Sequence, residues 1–262
     1  MRVLVAIPVY NEQRHVAQVL SQVLRLTDDV LVIDDGSTDA TPQILDRTPR
    51  ITVLRHTENR GYGQSLIDAF GYSHSKQYNW VITIDCDDQH EPARIPALIE
   101  RAEHDDVDIV SGSRYLITMP SNTAAPADRR RINQKITGML NHTLGLSLTD
   151  AFCGFKAYRV EALGRLSLSV AGYAFPLQFW VQAVHHGLRI CELPVRLIYN
   201  DPTRHFGGTL DDPESRLRHY IEVFFDELRK SLKNTPLWHR RPAGETTGLG
   251  SCATLNAESR EA

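Results

Sequence analysis

Up to Tyr115, the chain alternates between short apolar segments and segments with helical periodicity. The apolar segments are rich in β-branched residues and are bounded by polar turns, which is typical of buried strands. They cover residues 3–8, 30–34, 51–55, 80–85 and 107–111. The helical segments cover residues 12–26, 62–74 and 92–104, with a short helix opening at 41–42. This alternation predicts an α/β fold with a mostly parallel central sheet flanked by helices.

Beyond Tyr115 the regular alternation stops. Residues 120–128 have the composition of a loop, rich in Pro, Ala, Ser and Asn. The later segments predict helices over 129–144, 175–186 and 215–233, and a strand over 190–195. From Pro236 onward the chain has little periodicity and is rich in Pro, Gly, Thr, Ser and Glu, which is typical of disorder. We therefore predict one domain over residues 1–235 and a disordered tail over 236–262.

Composition narrows the class of protein. The chain has 262 residues and a formal net charge of −3, which offers no argument for nonspecific nucleic-acid binding. Its 4 cysteines lack the spacing of a zinc site or a disulfide framework, as expected in a reducing compartment. The apolar stretch 3–9 is too short for a signal peptide, and the uncharged stretch 166–184 is interrupted by Gly, Pro and Gln. We expect a cytoplasmic protein, soluble or peripheral at the inner face of a membrane.

Two carboxylates directly follow the apolar run 80–84. Asp85 and Asp87 stand where the predicted strand ends, and ligands of open α/β sheets bind beyond the carboxyl ends of strands. Carboxylates in that position need a cation or solvent to balance their charge. Mg²⁺ or Mn²⁺ would do so, together with substrate phosphate oxygens, and Gln89 could add a neutral oxygen ligand. The alternative is a solvated acidic turn before a helix.

The ends of the first two predicted strands also carry polar residues. Neither a Gly-x-Gly-x-x-Gly turn nor a P-loop is present, which counts against NAD enzymes and P-loop NTPases. After the first strand, Tyr10 offers a stacking face and Glu12 could cap the next helix. After the second, Asp34 and Asp35 precede Gly36 and could accept hydrogen bonds from a base or a ribose. The alternatives are a turn with a helix cap and an Asx turn.

Three later segments are further candidates. Loop 59–63 enters a predicted helix, so its N–H groups could favour an anion, although a plain connection is the alternative. Arg114 and the basic run 129–131 could bind phosphates, whereas a solvated basic face is the alternative. Asp150 precedes a Gly turn and could be an acid, a base or an acceptor contact. Its alternative is a polar turn beside core phenylalanines.

In this order, the segments resemble family 2 glycosyltransferases of the GT-A fold, and most closely the dolichol- and polyprenyl-phosphate sugar transferases. The matching residues are 7–12, 32–39, 59–63, 85–90, 112–115, 150 with 154–156, and 187–188 with 192–195. The resemblance covers roughly residues 1–210. The chain departs from it at Cys153, where relatives often carry Ser, and at 174–178, where relatives often have acidic residues.

The resemblance implies a role for each matching position. The residues that would bind the nucleotide sugar are Pro8, Tyr10, Glu12, Asp35, Gly63, Asp85 and Arg130. The residues that would hold the metal in an Asp-x-Asp motif are Asp85, Asp87 and Gln89. The residues that would act at the reacting groups are Asp87, Arg114, Arg131 and Asp150, with Asp150 bordering the acceptor site.

The implied reaction is an inverting sugar transfer from a nucleoside diphosphate sugar, either GDP-mannose or a UDP-hexose, with Mg²⁺ or Mn²⁺. The expected acceptor is a polyprenyl phosphate, reached by peripheral contact with a membrane. A saccharide or another soluble hydroxyl acceptor is the alternative, and it would need a base such as Asp150. Two other classes stay open, a haloacid-dehalogenase-type phosphohydrolase and a non-catalytic sugar-nucleotide-binding protein.

Overall fold

A computed structural model describes residues 1–119, 123–199 and 207–234. The predicted strands are present, and one more strand lies between 150 and 160. The strands are β1 Val3–Val9, β2 Val30–Asp34, β3 Thr52–Arg55, β4 Trp80–Thr83, β5 Ile109–Ser113, β6 Lys156–Arg159 and β7 Ile190–Pro194. They form one 7-stranded sheet in the order β3-β2-β1-β4-β6-β5-β7. This architecture confirms the predicted α/β fold.

Strand β6 is the element that the sequence did not predict. It pairs antiparallel with both β4 and β5, whereas the other pairings in the sheet are parallel. Its residues, Lys-Ala-Tyr-Arg, are few and charged at both ends, so they lack the apolar run by which the parallel strands were recognised. Because β6 runs in the opposite direction, it begins at the edge where β4 ends, with Lys156 opposite Thr83.

The helices agree with the prediction except near their ends. They are α1 Val16–Val23, α2 Thr41–Asp46, α3 Tyr62–Ser75, α4 Ile95–Glu103, α5 Ala127–Leu144, α6 Val160–Leu163, α7 Phe175–His185 and α8 Pro213–Asn234. Helix α1 is shorter than predicted because the chain turns before Val16, and α6 was not predicted. Part of the predicted loop 120–128 and the whole of the predicted tail lie outside the described residues.

The sheet has a separate hydrophobic layer on each face. Along β1, Leu4 and Ala6 face the layer that includes residues of α3, α5, α7 and α8. Val5 and Ile7 face the opposite layer, which includes residues of α1 and α4. This alternation follows from the two-residue period of a strand. The inner parallel strands β1, β2 and β4 are therefore buried on both faces, whereas the edge strand β3 is partly exposed. The carboxyl ends of the parallel strands share one edge, where polar side chains can meet a ligand.

Helix α8 packs against the core through its apolar face. Tyr220 and Phe224 are buried, and they belong to the same hydrophobic layer as α7. The buried Glu227 carboxylate accepts hydrogen bonds from the amides of Gln178 and Gln182, at 3.0 and 2.6 Å. Most of the apolar stripe of α8 is thus covered by the protein, which leaves Phe225 as its exposed aromatic residue.

Candidate active site

The carboxylate of Asp85 lies in a tight polar cradle just beyond β4. The Tyr62 hydroxyl donates to Asp85 Oδ1 at 2.9 Å, and His90 Nε2 lies 3.1 Å from Asp85 Oδ2. On a third side is Gly154, where a Cβ atom would overlap the Asp85 carboxylate. Burial and the charge of Asp85 together raise the pKa of Tyr62 well above its usual value, so its hydroxyl remains a donor. Asp85 is therefore held in one orientation by residues from α3, the segment after β4, and the turn before β6.

Asp87 and Gln89 lie in the half-buried segment that follows. The Gln89 backbone N–H donates to Asp87 Oδ1 at 3.1 Å, which fixes the turn. The Gln89 Nε2 atom and His90 Nδ1 are buried, and neither has a hydrogen-bond partner. Within the described residues, no group of three or more His, Cys, Asp or Glu side chains is arranged to hold a metal. A metal here would use the two carboxylates and an amide oxygen, a donor set that suits Mg²⁺ or Mn²⁺ when substrate phosphate oxygens complete it.

Asp35 is buried at the end of β2 and is engaged by the protein itself. Its Oδ1 accepts the Arg60 backbone N–H at 2.8 Å and lies 2.6 Å from His56 Nδ1. Its Oδ2 accepts the Gly61 N–H at 2.9 Å. The sequence predicted that Asp35 would contact a base or a ribose, but three of its acceptor positions hold loop 59–61 and His56. Its main visible role is to anchor that loop.

The residues after β1 form the neighbouring wall. Pro8 is buried within β1, and the Glu12 backbone N–H donates to the Thr41 hydroxyl at 2.9 Å. Asn11 has φ 56° and its side-chain oxygen accepts the Thr38 N–H at 2.8 Å, which ties this turn to the one after β2. Tyr10 is 45% exposed, so its ring is available for stacking.

Arg114 and Asp150 form a buried ion pair. Arg114 Nε and Nη2 donate to the two Asp150 oxygens at 2.6 and 3.0 Å, and Asn133 Nδ2 adds a third bond at 2.8 Å. Burial opposes the charge of Asp150, but the Arg114 guanidinium outweighs it and holds the pKa of Asp150 well below its usual range. A fully buried carboxylate held in this way is a poor proton acceptor, which argues against the base role predicted for Asp150. Two nitrogen atoms of the Arg114 guanidinium are likewise used by Asp150 and are not available to a phosphate.

The three arginines at the start of α5 have different surroundings. The Arg130 guanidinium lies 3.5 Å from the centre of the Tyr115 ring, and Arg114 contacts the same ring at 5.6 Å. Arg129 lies over Tyr199. Arg131 is exposed and lines a groove between α5 and α8. Of the two arginines predicted to face phosphates, it is Arg130 that the structure brings together with Arg114.

Gly63 lets two backbone segments approach closely. A Cβ atom there would overlap the carbonyl of Val170, and the Gln64 N–H donates to the Ala171 carbonyl at 3.0 Å. This glycine therefore lets α3 approach the segment before α7. Its assignment to nucleotide-sugar binding, which the resemblance implied, stays a prediction.

Several polar residues of the site were not identified from the sequence. Tyr62 and His90 stood inside matching segments, but nothing in their spacing showed that they converge on Asp85. Lys156 is buried, donates to the Cys153 carbonyl and has its pKa lowered by burial. Glu192 accepts the backbone N–H groups of Thr149 and Asp150, which positions Asp150. Lys156 and Glu192 also stood inside matching segments, 154–156 and 192–195, and Glu192 was further marked by its apolar neighbours.

Residues 4–167 match the family described as glycosyl transferase family 2. The chain belongs to glycosyltransferase family 2. It is 32% identical over 212 residues to the undecaprenyl-phosphate mannosyltransferase of Micrococcus luteus, covering 76% of this chain and 84% of that one. It is 28% identical over 206 residues to the polyprenol monophosphomannose synthase of Mycolicibacterium smegmatis, covering 74% and 76%. The glycosyltransferase therefore resembles polyprenyl-phosphate sugar transferases, as its motifs indicated.

Solved structures confirm the GT-A fold of this glycosyltransferase. Glucosyl-3-phosphoglycerate synthase from Mycobacterium tuberculosis, in complex with UDP, superimposes with a TM-score of 0.66 at 19% identity, covering 87% of this chain and 80% of that one. The same enzyme has also been solved with Mn²⁺, UDP and phosphoglyceric acid. Within the part of this glycosyltransferase that the structure describes, no helix is both long and apolar enough to cross a membrane.

Proposed function

We propose that this glycosyltransferase moves a sugar from a nucleoside diphosphate sugar to a polyprenyl phosphate, with inversion at the anomeric carbon. The observation that carries the proposal is the oriented Asp85 carboxylate, held by Tyr62 and His90 beside Asp87 at the carboxyl end of β4. The relatives named for undecaprenyl-phosphate mannosyl transfer and polyprenol monophosphomannose synthesis support the lipid phosphate as acceptor.

Asp85, Asp87 and Gln89 are the residues that would hold Mg²⁺ or Mn²⁺. When bound, the metal neutralises charge on the departing nucleoside diphosphate. The fit rests on the Gly154 cradle, which leaves space for the Asp85 carboxylate, and on the buried Gln89 amide. Arg130, which stacks on Tyr115, is the cation we assign to the donor diphosphate. Tyr10 would stack on the nucleotide base.

The choice of a phosphate acceptor agrees with the state of Asp150. A phosphate monoester is already largely ionised near neutral pH, because its second pKa is about 6. It can therefore attack the anomeric carbon without giving a proton to the protein. A hydroxyl acceptor would need a base, and the ion pair with Arg114 makes Asp150 unsuited to accept a proton. The remaining role for Asp150 is to position Arg114 and the turn at 150–154.

We place the reaction at the cytoplasmic face of a membrane, with peripheral contact to the lipid. Little of the apolar face of α8 is left for that contact, since Tyr220 and Phe224 are buried. Exposed apolar residues at Leu116 and Ile117 follow Arg114 and Tyr115 directly. They offer a second surface for a polyprenyl chain beside the proposed phosphate site.

The test is a transfer assay with the purified protein. GDP-mannose, UDP-glucose and UDP-N-acetylglucosamine would each be supplied with Mg²⁺ or Mn²⁺. The acceptors would be undecaprenyl phosphate, a short-chain polyprenyl phosphate, or soluble hydroxyl acceptors such as saccharides and glycerate-like acids. We expect metal-dependent transfer to both lipid phosphates from one of the donors. Transfer only to a soluble hydroxyl acceptor would overturn the lipid assignment, and it would require a base other than Asp150.

A further inference from the structure

His56 is a buried histidine that joins two carboxylates. It follows β3 directly, and its ring lies between the end of β2 and helix α3. Its Nδ1 atom is 2.6 Å from Asp35 Oδ1, and its Nε2 atom is 2.9 Å from Asp68 Oδ2.

The two carboxylates that His56 joins also hold other parts of the chain. Asp35 accepts the backbone N–H groups of Arg60 and Gly61. Asp68 accepts from Gln64 Nε2 at 2.9 Å and from Arg60 Nη1 at 3.3 Å. His56 therefore connects the end of β2, the loop before α3 and α3 itself through a single side chain.

The same contacts lead to the candidate active site. Asp35 holds the N–H groups of Arg60 and Gly61, and the next residue, Tyr62, donates its hydroxyl to Asp85. Asp68 lies two turns further along α3, on the side that faces His56. His56 therefore fixes both the loop that enters α3 and the first turns of the helix. Tyr62 lies between these two attachments.

We propose that His56 is a positioning residue for donor binding, because it fixes the 57–61 segment that presents Tyr62 to Asp85. This inference rests on the proposed function, since it concerns the same donor site. Without the imidazole ring, Asp35 and Asp68 are no longer joined through one side chain. The segment then loosens, Tyr62 is less well held, and the affinity for a nucleotide with its metal falls.

The other charged groups near His56 are compatible with this role. From the end of β2 the ring faces Asp35, and from α3 it faces Asp68. Arg60 reaches Asp68 from the connecting loop, and its guanidinium is half exposed. Arg55, which ends β3 and directly precedes His56, is paired with Asp34 and Asp46. Its charge is therefore engaged away from the two carboxylates that His56 joins.

The test compares His56→Gln with the matched control His104→Gln, which changes an exposed histidine after α4. Binding of UDP and of GDP, each with Mn²⁺, would be measured by calorimetry at neutral pH. For His104→Gln we expect the wild-type affinity. For His56→Gln we expect affinity weaker by roughly 10-fold, as for other residues that orient a ligand. In the transfer assay the KM for the donor should rise more than kcat falls.

A second variant reaches the same contact without removing the ring. Asp68→Asn weakens the hydrogen bond to His56 Nε2, and we expect it to lower nucleotide affinity less than His56→Gln does. Thermal melting shows that each variant is folded. Binding by His56→Gln and Asp68→Asn as tight as that of the control would overturn the proposal. Absence of sugar transfer by wild type would instead overturn the proposed function, while nucleotide binding would still judge His56.

Discussion

Asp87 and Asp88 are adjacent carboxylates whose surroundings suit different roles. Asp87 lies in the turn beside Gln89, while Asp88 lies 3.4 Å from the amide of Gln18 on α1 and has φ 57°. The two residues therefore allow a direct comparison, because substitution to Asn removes one charge at each position and changes little else. Asn also tolerates the left-handed conformation of residue 88.

We expect Asp87→Asn to lower metal-dependent turnover by about 10²–10³-fold, as the loss of one transition-state charge contact typically does. Asp88→Asn should stay within a few-fold of wild type. Both variants should melt near the wild-type temperature, since neither residue is in the core. Steady-state kinetics with Mn²⁺ and thermal melting check this, and near-normal turnover by Asp87→Asn would remove the residue from the metal site.

Gly154 is a residue whose importance comes from the space it leaves. Gly154→Ala should displace the Asp85 carboxylate, because the new methyl group would occupy its position. We expect weaker Mn²⁺ binding in the presence of UDP, and slower transfer. Gly138→Ala in α5 is the matched control, since a Cβ atom there meets nothing within 4 Å. That variant should be as stable as wild type or slightly more so. Equal metal affinity in both variants would contradict the cradle at Asp85.

The ion pair between Arg114 and Asp150 is expected to contribute to stability. Arg114→Met leaves Asp150 buried without its cation, which typically costs about 3–5 kcal/mol. The pKa of Asp150 is lowered in the folded state, so its contribution is present above the unfolded pKa and is lost as the pH falls below about 3.8. Denaturant unfolding at pH 7 and at pH 3 checks both points. A wild type whose stability gains nothing between pH 3 and pH 7 would count against the pair.

At the scale of elements, the amphipathic helix α8 packs one side against the hydrophobic core and exposes the other. Phe224 is fully buried, whereas its neighbour Phe225 is 45% exposed. Phe224→Ala should lower the free energy of unfolding by about 3–5 kcal/mol, because it opens a cavity. Phe225→Ala should leave stability nearly unchanged. Binding to vesicles that contain anionic lipid tests whether the exposed side of α8 also contacts a membrane. Such a contact would make Phe225→Ala bind the vesicles more weakly than wild type. Similar stability losses in both variants would mean that α8 is packed differently.

At the scale of the whole molecule, the proposed nucleotide site would join segments from four strand ends. The turns after β1 and β2, the loop before α3 and the segment after β4 meet at one edge of the sheet, so a ligand there stabilises the fold as a unit. With UDP or GDP and Mn²⁺ at about 100 times Kd, linkage predicts about 2.7 kcal/mol of added stability. For a domain of this size the melting temperature should rise by about 5–10 °C. Asp87→Asn should lose the part of the increase that needs Mn²⁺, and an equal increase in both proteins would contradict the metal assignment.

The period of the apolar residues determined the fold class. Strands of four to seven residues, separated by helical segments, leave few alternatives to a parallel sheet with helices on both faces. The same pattern placed Asp35, Asp85 and Arg114 at strand ends, and therefore at one edge of that sheet. Such inferences succeed because they depend on local periodicity and on the common direction of parallel strands. The boundary at 235 and the character of the tail stay predictions.

Only the tertiary structure decided what each polar residue touches. Asp35, Asp85 and Asp150 have the same side chain at similar strand or turn positions. Asp35 anchors a loop, Asp85 sits in a tight polar cradle, and Asp150 is neutralised by Arg114. Arg114 and Asp150 are 36 residues apart in the chain, and spacing alone carries no information on such pairs. Strand β6 was hidden for the same reason, because its place between β4 and β5 depends on pairing and not on its own short sequence.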